Sequence, residues 1–210
     1  YEVSNNAGQD ICDIVNNEGF DFLLVGSGIS MSDSPDDIAA TRYRTSFYNR
    51  YFKRFKAPES WFYPGALLKD KTKMFIARSN CDVGVFINRN FVKATNTLVV
   101  ISSEEDLFLL DYTRTLLKAT HGSVGIVAKM STTTPGHDQI LKELWDFVSS
   151  TPQTQLLPDK DLTPGLFNSY NFMLIGYNTW NDVSEHRKEA LQKMPSTLIL
   201  NKNKRSSSDN

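Results

Sequence analysis

The chain has 210 residues, with 23 Lys+Arg against 24 Asp+Glu and 40% hydrophobic residues. That length fits one α/β domain or one and a half, and the near-zero net charge excludes a globally basic nucleic-acid binder. Two cysteines, Cys12 and Cys81, exclude a disulfide scaffold and point to a reducing compartment. No apolar run nears the roughly 20 residues of a membrane span. Tyr1 opens in mid-pattern, as in a piece of a longer polypeptide.

In chain order, Gly8 to Asn17 carries Ile11, Ile14 and Val15 at helical spacing. Phe22 to Val25 is a short apolar run closed by Gly26. Similar runs follow at 83–87, 97–101, 124–127, 172–175 and 197–200. They are continuous rather than alternating, which is how strands buried on both faces of a parallel sheet read. Ser103 is the expected N-cap of a helix whose first turn holds Glu104, Glu105 and Asp106. Leu107, Leu110, Thr113, Leu116 and Leu117 form its stripe, and Asp106 and Asp111 sit on it as ordinary helical carboxylates. His137 to Ser149 is a second helix, with Ile140, Leu141, Leu144, Trp145 and Val148 inward. Asp182 to Lys193 is a more polar third. Strands alternating with helices predict an α/β fold with a doubly wound parallel sheet and right-handed crossovers, with a partial second copy.

The partial copy comes from an internal repeat. Phe20 to Gly26 (FDFLLVG) matches Tyr170 to Gly176 (YNFMLIG) position by position. Each segment leads to a later strand with a similar exit, Ile87-Asn88-Arg89-Asn90 and Leu200-Asn201-Lys202-Asn203. The expected division is 1–91 as the C-terminal remnant of a first repeat, interrupted by an insertion at 27–64. Residues 92–201 would form a second, more complete repeat and 202–210 a disordered tail. The strands at 21–25 and 83–87 should pair together or join the complete sheet.

Chemistry-bearing residues are few. Gly26-Ser27-Gly28 follows a strand, where backbone can cradle phosphate, and weakly resembles the opening of NAD-dependent deacylases. The third glycine of a dinucleotide fingerprint is missing, so a turn with Gly at positive φ is the competing reading. Between 42 and 56 lie six basic residues and no acidic one: Arg42, Arg44, Arg50, Lys53, Arg54 and Lys56. Tyr43, Phe47, Tyr48, Tyr51, Phe52 and Phe55 interleave with them. The segment can pack on its own domain or lie as an amphipathic helix against a partner or anionic lipid headgroups. Nucleic acid is not an expected partner. His121, His137 and His186 have no second ligand at helical spacing. Cys81 reads as a buried structural thiol. No G-x-S-x-G and no paired carboxylates appear, so no enzyme is expected.

Residues 67–74 and Asn80-Cys81-Asp82-Val83-Gly84-Val85-Phe86-Ile87-Asn88-Arg89-Asn90-Phe91 resemble a segment of the monovalent cation:proton antiporter-2 family. The fungal K+/H+ antiporters are the most similar type. Those proteins carry a cytosolic C-terminal region of two universal-stress-type domains, and residues 96–106 match the opening of the second. The resemblance spans about residues 20–30, 65–130 and 168–200. It implies a cytosolic regulatory domain of a K+(Na+)/H+ antiporter on a Golgi or endosomal membrane. It also implies a universal-stress-protein/flavodoxin-like fold that would pack against the membrane domain of the same polypeptide, with homodimer contacts. No cofactor is expected. The alternatives are an ATP- or AMP-binding universal-stress-type module, with Gly26, Gly28 and Gly65 near phosphates, and an NAD-linked soluble enzyme. Both copies depart from the nucleotide-binding pattern of universal stress proteins. Ser102-Ser103 stands where the first strand should lead to Asp, and Tyr177 to Trp180 lacks the second Gly.

Overall fold

The computed structural model describes residues 7–26, 70–130, 135–158, 162–186 and 193–203. Seven strands form one sheet: β1 (Phe22–Gly26), β2 (Asp82–Ile87), β3 (Asn96–Ile101), β4 (Ser123–Ala128), β5 (Thr154–Pro158), β6 (Phe172–Gly176) and β7 (Ser196–Asn201). Their spatial order is β1-β2-β7-β6-β3-β4-β5. Strands β3 to β7 alone run 3-2-1-4-5 in their own numbering, a doubly wound order. Every pair is parallel except β2 with β7, which is antiparallel. A wholly parallel sheet was the expectation, and the reversal falls at the one seam between the repeats.

The helices are α1 (Ala7–Glu18), α2 (Asp70–Arg78), α3 (Leu109–Thr120), α4 (His137–Ser150), the short α5 (Pro164–Phe167) and α6 (Tyr177–His186), with a 3-10 turn at Glu104–Asp106. They cover both faces. On one face Val85, Leu98, Val100, Met173, Ile175 and Ile199 pack against Phe167, Trp180 and Val183. On the other, Val99, Ile101, Ile126, Phe172, Leu174 and Leu200 pack against Leu109, Leu117, Ile140, Leu144 and Phe147. Adjacent residues of one strand feed opposite clusters because successive side chains alternate faces. Burial of such a side chain contributes about 1.5–3 kcal/mol.

Several local expectations are corrected. On α4 the inward residue is Phe147, while Trp145 is 53% exposed. The last helix starts at Tyr177, directly after β6, and not at Asp182. Ser103 makes no side-chain cap; the turn it opens is 3-10, and the regular helix starts at Leu109. Strand β5 was not foreseen.

Within the first repeat, Asn16 Nδ2 donates to Arg78 O, and Asn80 N donates to Asn16 Oδ1, tying α1 to the α2–β2 junction. Asp82 fastens the two halves. Tyr112 of α3 donates to Asp82 Oδ2 at 2.9 Å, and Asn203 N donates to Asp82 Oδ1. Burial, with this bond to a carboxylate, pushes the Tyr112 phenol above its ordinary range. A raised phenol pKa means the native state keeps a proton that the unfolded chain releases near pH 10. That stability is complete below about pH 10 and lost as pH rises above it. Urea midpoints at pH 8 and about pH 10.5 should therefore fall further for the wild type than for Tyr112→Phe. Separately, Ile199→Ala should cost about 2–5 kcal/mol in urea unfolding. Leu24→Ala, at a side chain 58% exposed, should cost under about 1 kcal/mol.

Candidate functional site

Doubly wound sheets take ligands beyond the carboxyl ends of the strands, at the point where strand order reverses. Here that point lies between β3 and β6. The chain leaves β3 through Ser102 and Ser103, and α6 starts immediately after Gly176 ends β6. Two backbone N–H groups, two hydroxyls and a helix N-terminus thus converge, which is the donor set of an anion site.

The anion in that site is the protein's own. Asp106 is 2% exposed. Its Oδ2 accepts from Ser102 N at 2.8 Å, Ser103 N at 3.2 Å, Ser102 Oγ at 3.2 Å and Thr179 Oγ1 at 2.6 Å. The Ser102 and Thr179 hydroxyls also touch each other. Gly176 lies so close that a Cβ there would overlap Asp106 Oδ1. Alongside, Asn178 Nδ2 donates to Glu105 Oε2 at 2.8 Å, holding the 3-10 turn against α6. A buried carboxylate is tolerated because charge-assisted hydrogen bonds replace its water.

Asp106 is therefore not an ordinary helical carboxylate, as expected from sequence, but the centre of the switch point. The Ser-x-x-Asp spacing from Ser103 to Asp106 is the one sequence signal that could have flagged it. Its other partner, Thr179, is 73 residues away.

Outside Asp106 a groove of about 240 Å³ opens among Glu105, Phe108, Gly176, Tyr177, Leu200 and Lys202. Small-molecule sites usually measure about 300–1,000 Å³. Its wall carries two carboxylates, Glu105 and Asp106, against one ammonium, Lys202. A larger, shallower depression of about 470 Å³ lies by Arg114, Lys118, His121 and Pro152, beyond the C-terminal end of α3 and away from the switch point. Arg114 there is paired with Asp111 and stacked over Phe147.

Of the residues singled out in sequence, Gly26 ends β1 at the outer edge of the sheet. Its φ is not positive, and among the described residues nothing would meet a Cβ built on it within 4 Å; the rest of the turn lies outside the described residues. Gly28, Gly65 and the basic residues Arg42, Arg44, Arg50, Lys53, Arg54 and Lys56 lie outside the described residues. Cys12 and Cys81 are buried free thiols, and burial pushes the Cys81 thiol up. Among the described residues no group of His, Cys, Asp or Glu could hold a metal ion, and no helix is long and apolar enough to cross a membrane.

No family model and no curated protein matches the chain. Among solved structures, a universal stress protein from Archaeoglobus fulgidus DSM 4304 is similar over 97% of this chain and 95% of its own, at a TM-score of 0.44 and 8% identity. At that score the likeness adds nothing to the strand order. The fold is α/β, a mostly parallel, doubly wound seven-stranded sheet with helices.

Asp106→Ala should destabilise the protein by about 3 kcal/mol, because buried donors on Ser102, Ser103 and Thr179 lose their acceptor. Thr179→Val should cost less, about 1–2 kcal/mol. Gly176→Ala should resemble Asp106→Ala, since its Cβ expels the carboxylate. Urea unfolding of the three variants checks the ranking.

Proposed function

We propose that this chain is a non-catalytic regulatory domain of universal-stress type that acts by packing, within a K+(Na+)/H+ antiporter. The observation that supports a packing role is Asp106. The donors that a phosphate-binding member of such a fold would offer to its ligand are here spent on an internal carboxylate. The similarity of residues 80–91 to the antiporter family supports the choice of parent protein.

In this reading the domain sits on the cytosolic face of an endomembrane and contacts the membrane domain of its own polypeptide. It biases the transporter only as far as it binds one transport state better than the other. The ion-carrying carboxylates belong to the membrane part, and no transport residue is assigned to this chain.

Two measurements test the two halves of the proposal. A melt screen against ATP, AMP and NAD should be flat, whereas a binder gains about 2.7 kcal/mol at ligand a hundredfold above its Kd. A saturable shift would replace the packing role with the nucleotide-binding alternative. An antibody to residues 96–201 should detect, in cells of the source organism, a polypeptide much larger than 23.8 kDa that stays with endomembranes after carbonate extraction. A 23.8 kDa band in the soluble fraction would sink the transporter assignment.

A further inference from the structure

The sheet ends at β5, and among the described residues no strand pairs with its outer edge. Val124 N donates to Gln153 O across the β4–β5 ladder. Backbone groups alternate sides along a strand, so Gln155 and Leu157 turn theirs to β4, and Thr154, Leu156 and Pro158 turn theirs outward. Thr154 and Leu156 each present an N–H and a carbonyl there, and Pro158 presents a carbonyl alone.

One flank of α4 stands beside this edge. Phe147 lies under the Arg114 guanidinium of α3, so that side of α4 is turned to α3. Leu141, Trp145 and Val148 share the opposite flank by helical spacing. Leu141, Val148 and Leu156 are half-buried against the same core cluster, whereas Trp145 is 53% exposed. Thr154 Oγ1 reaches Val148 O at 3.5 Å, which sets the height of helix against strand. From that point Trp145 lies about 4.5 Å back along α4, and Leu156 lies about 6.6 Å forward along β5. Because α4 runs against the strands, both steps lead the same way, and the ring stands nearly level with Leu156. An exposed tryptophan over unpaired backbone groups is the make-up of an interface centre.

We infer that this flank binds a second copy of the chain, β5 against β5 in antiparallel sense, about a two-fold axis at Leu156. Leu156 exchanges a pair of hydrogen bonds with its own copy, and the Thr154 N–H of each chain reaches the Pro158 carbonyl of the other. The missing proline N–H falls at the last pair, so the ladder closes there and does not propagate. The same axis sets Trp145 beside its copy and brings Lys142 of each chain level with the last turn of the other α4. That turn contains no basic residue, and among the described residues no ion pair involves Lys142. The negative end of each helix thus meets an ammonium from the other chain. This reciprocity of strand, ring and charge is what an isologous contact needs, and it favours the chain's own copy over a foreign strand. The surface is read from the fold and does not depend on the transporter assignment.

Sedimentation equilibrium of the 210-residue chain tests it, with hydrogen exchange at β5. A monomer–dimer equilibrium with a Kd of about 1–100 µM is expected, ordinary for a small interface. Exchange at Thr154 and Leu156 should slow about tenfold between dilute and concentrated samples, while Gln155 and Leu157, already bonded to β4, change little. Trp145→Lys should weaken the dimer at least about tenfold and leave the urea midpoint of dilute samples unchanged. Trp145→Gln, read the same way, guards against a folding defect in the lysine variant. A chain still monomeric at about 500 µM overturns the inference. So does a dimer that both Trp145 variants leave intact, or one whose Thr154 and Leu156 amides stay unprotected, since either places the contact on another face. Protection of those amides that is already complete in the monomer overturns it as well, because the edge is then taken from within the same chain.

Discussion

The antiparallel seam between β2 and β7 is the contact on which the rest of the sheet depends. Without it β7 would be a bare edge of an otherwise buried parallel sheet, an open template for pairing with other chains. Two copies of one strand can meet so that each residue opposes its counterpart's partner only across a two-fold axis, and that requires antiparallel sense. The residue pair at its centre, Val85 and Ile199, is β-branched and 1% exposed on both sides. Gly84 beside it admits the Phe22 ring and Leu198, and a Cβ there would collide with Phe22. The seam thus extends both clusters into the first repeat, where Val85 and Ile87 join one and Phe86 packs against the other.

At the switch point the fold's usual ligand position has become a brace. A bound phosphate would come and go with concentration, whereas Asp106 is tethered three residues from Ser103 and is always at high effective concentration. Opening the site means breaking four hydrogen bonds to one oxygen and leaving a charge without solvation inside the protein. That energetic arrangement favours rigidity over exchange, and it fits a domain whose outputs are contacts.

Much of the architecture was legible because burial on both faces writes itself as uninterrupted runs such as Leu98-Val99-Val100-Ile101. Strand β5 escaped notice because it is the outer strand, and its Gln155 is exposed. The antiparallel seam was not readable, since strand sense leaves no mark on local composition. Trp145 and Phe147 are two positions apart on α4, and only the packing against α3 and the sheet decides which faces inward. For Asp106, an acidic first turn is itself a sound local explanation. Its real role depends on Thr179 and Gly176, which the chain brings back only at β6. The basic segment 42–56 and the glycines at 28 and 65 lie outside the described residues.

The segment from Ser102 to Thr120 touches both repeats. At its start Asp106 binds Ser102 and Thr179 of the second repeat. One helical turn into α3, Tyr112 holds Asp82 of the first and meets the Phe22 ring at 6.0 Å. A displacement of β1 and β2 would therefore pull on the same short segment that closes the switch point. Packed cores respond to such pulls in discrete rearrangements rather than smoothly. Among the described residues the first repeat is the more exposed of the two, and the second, with its braced carboxylate and buried strands, is the more fully packed.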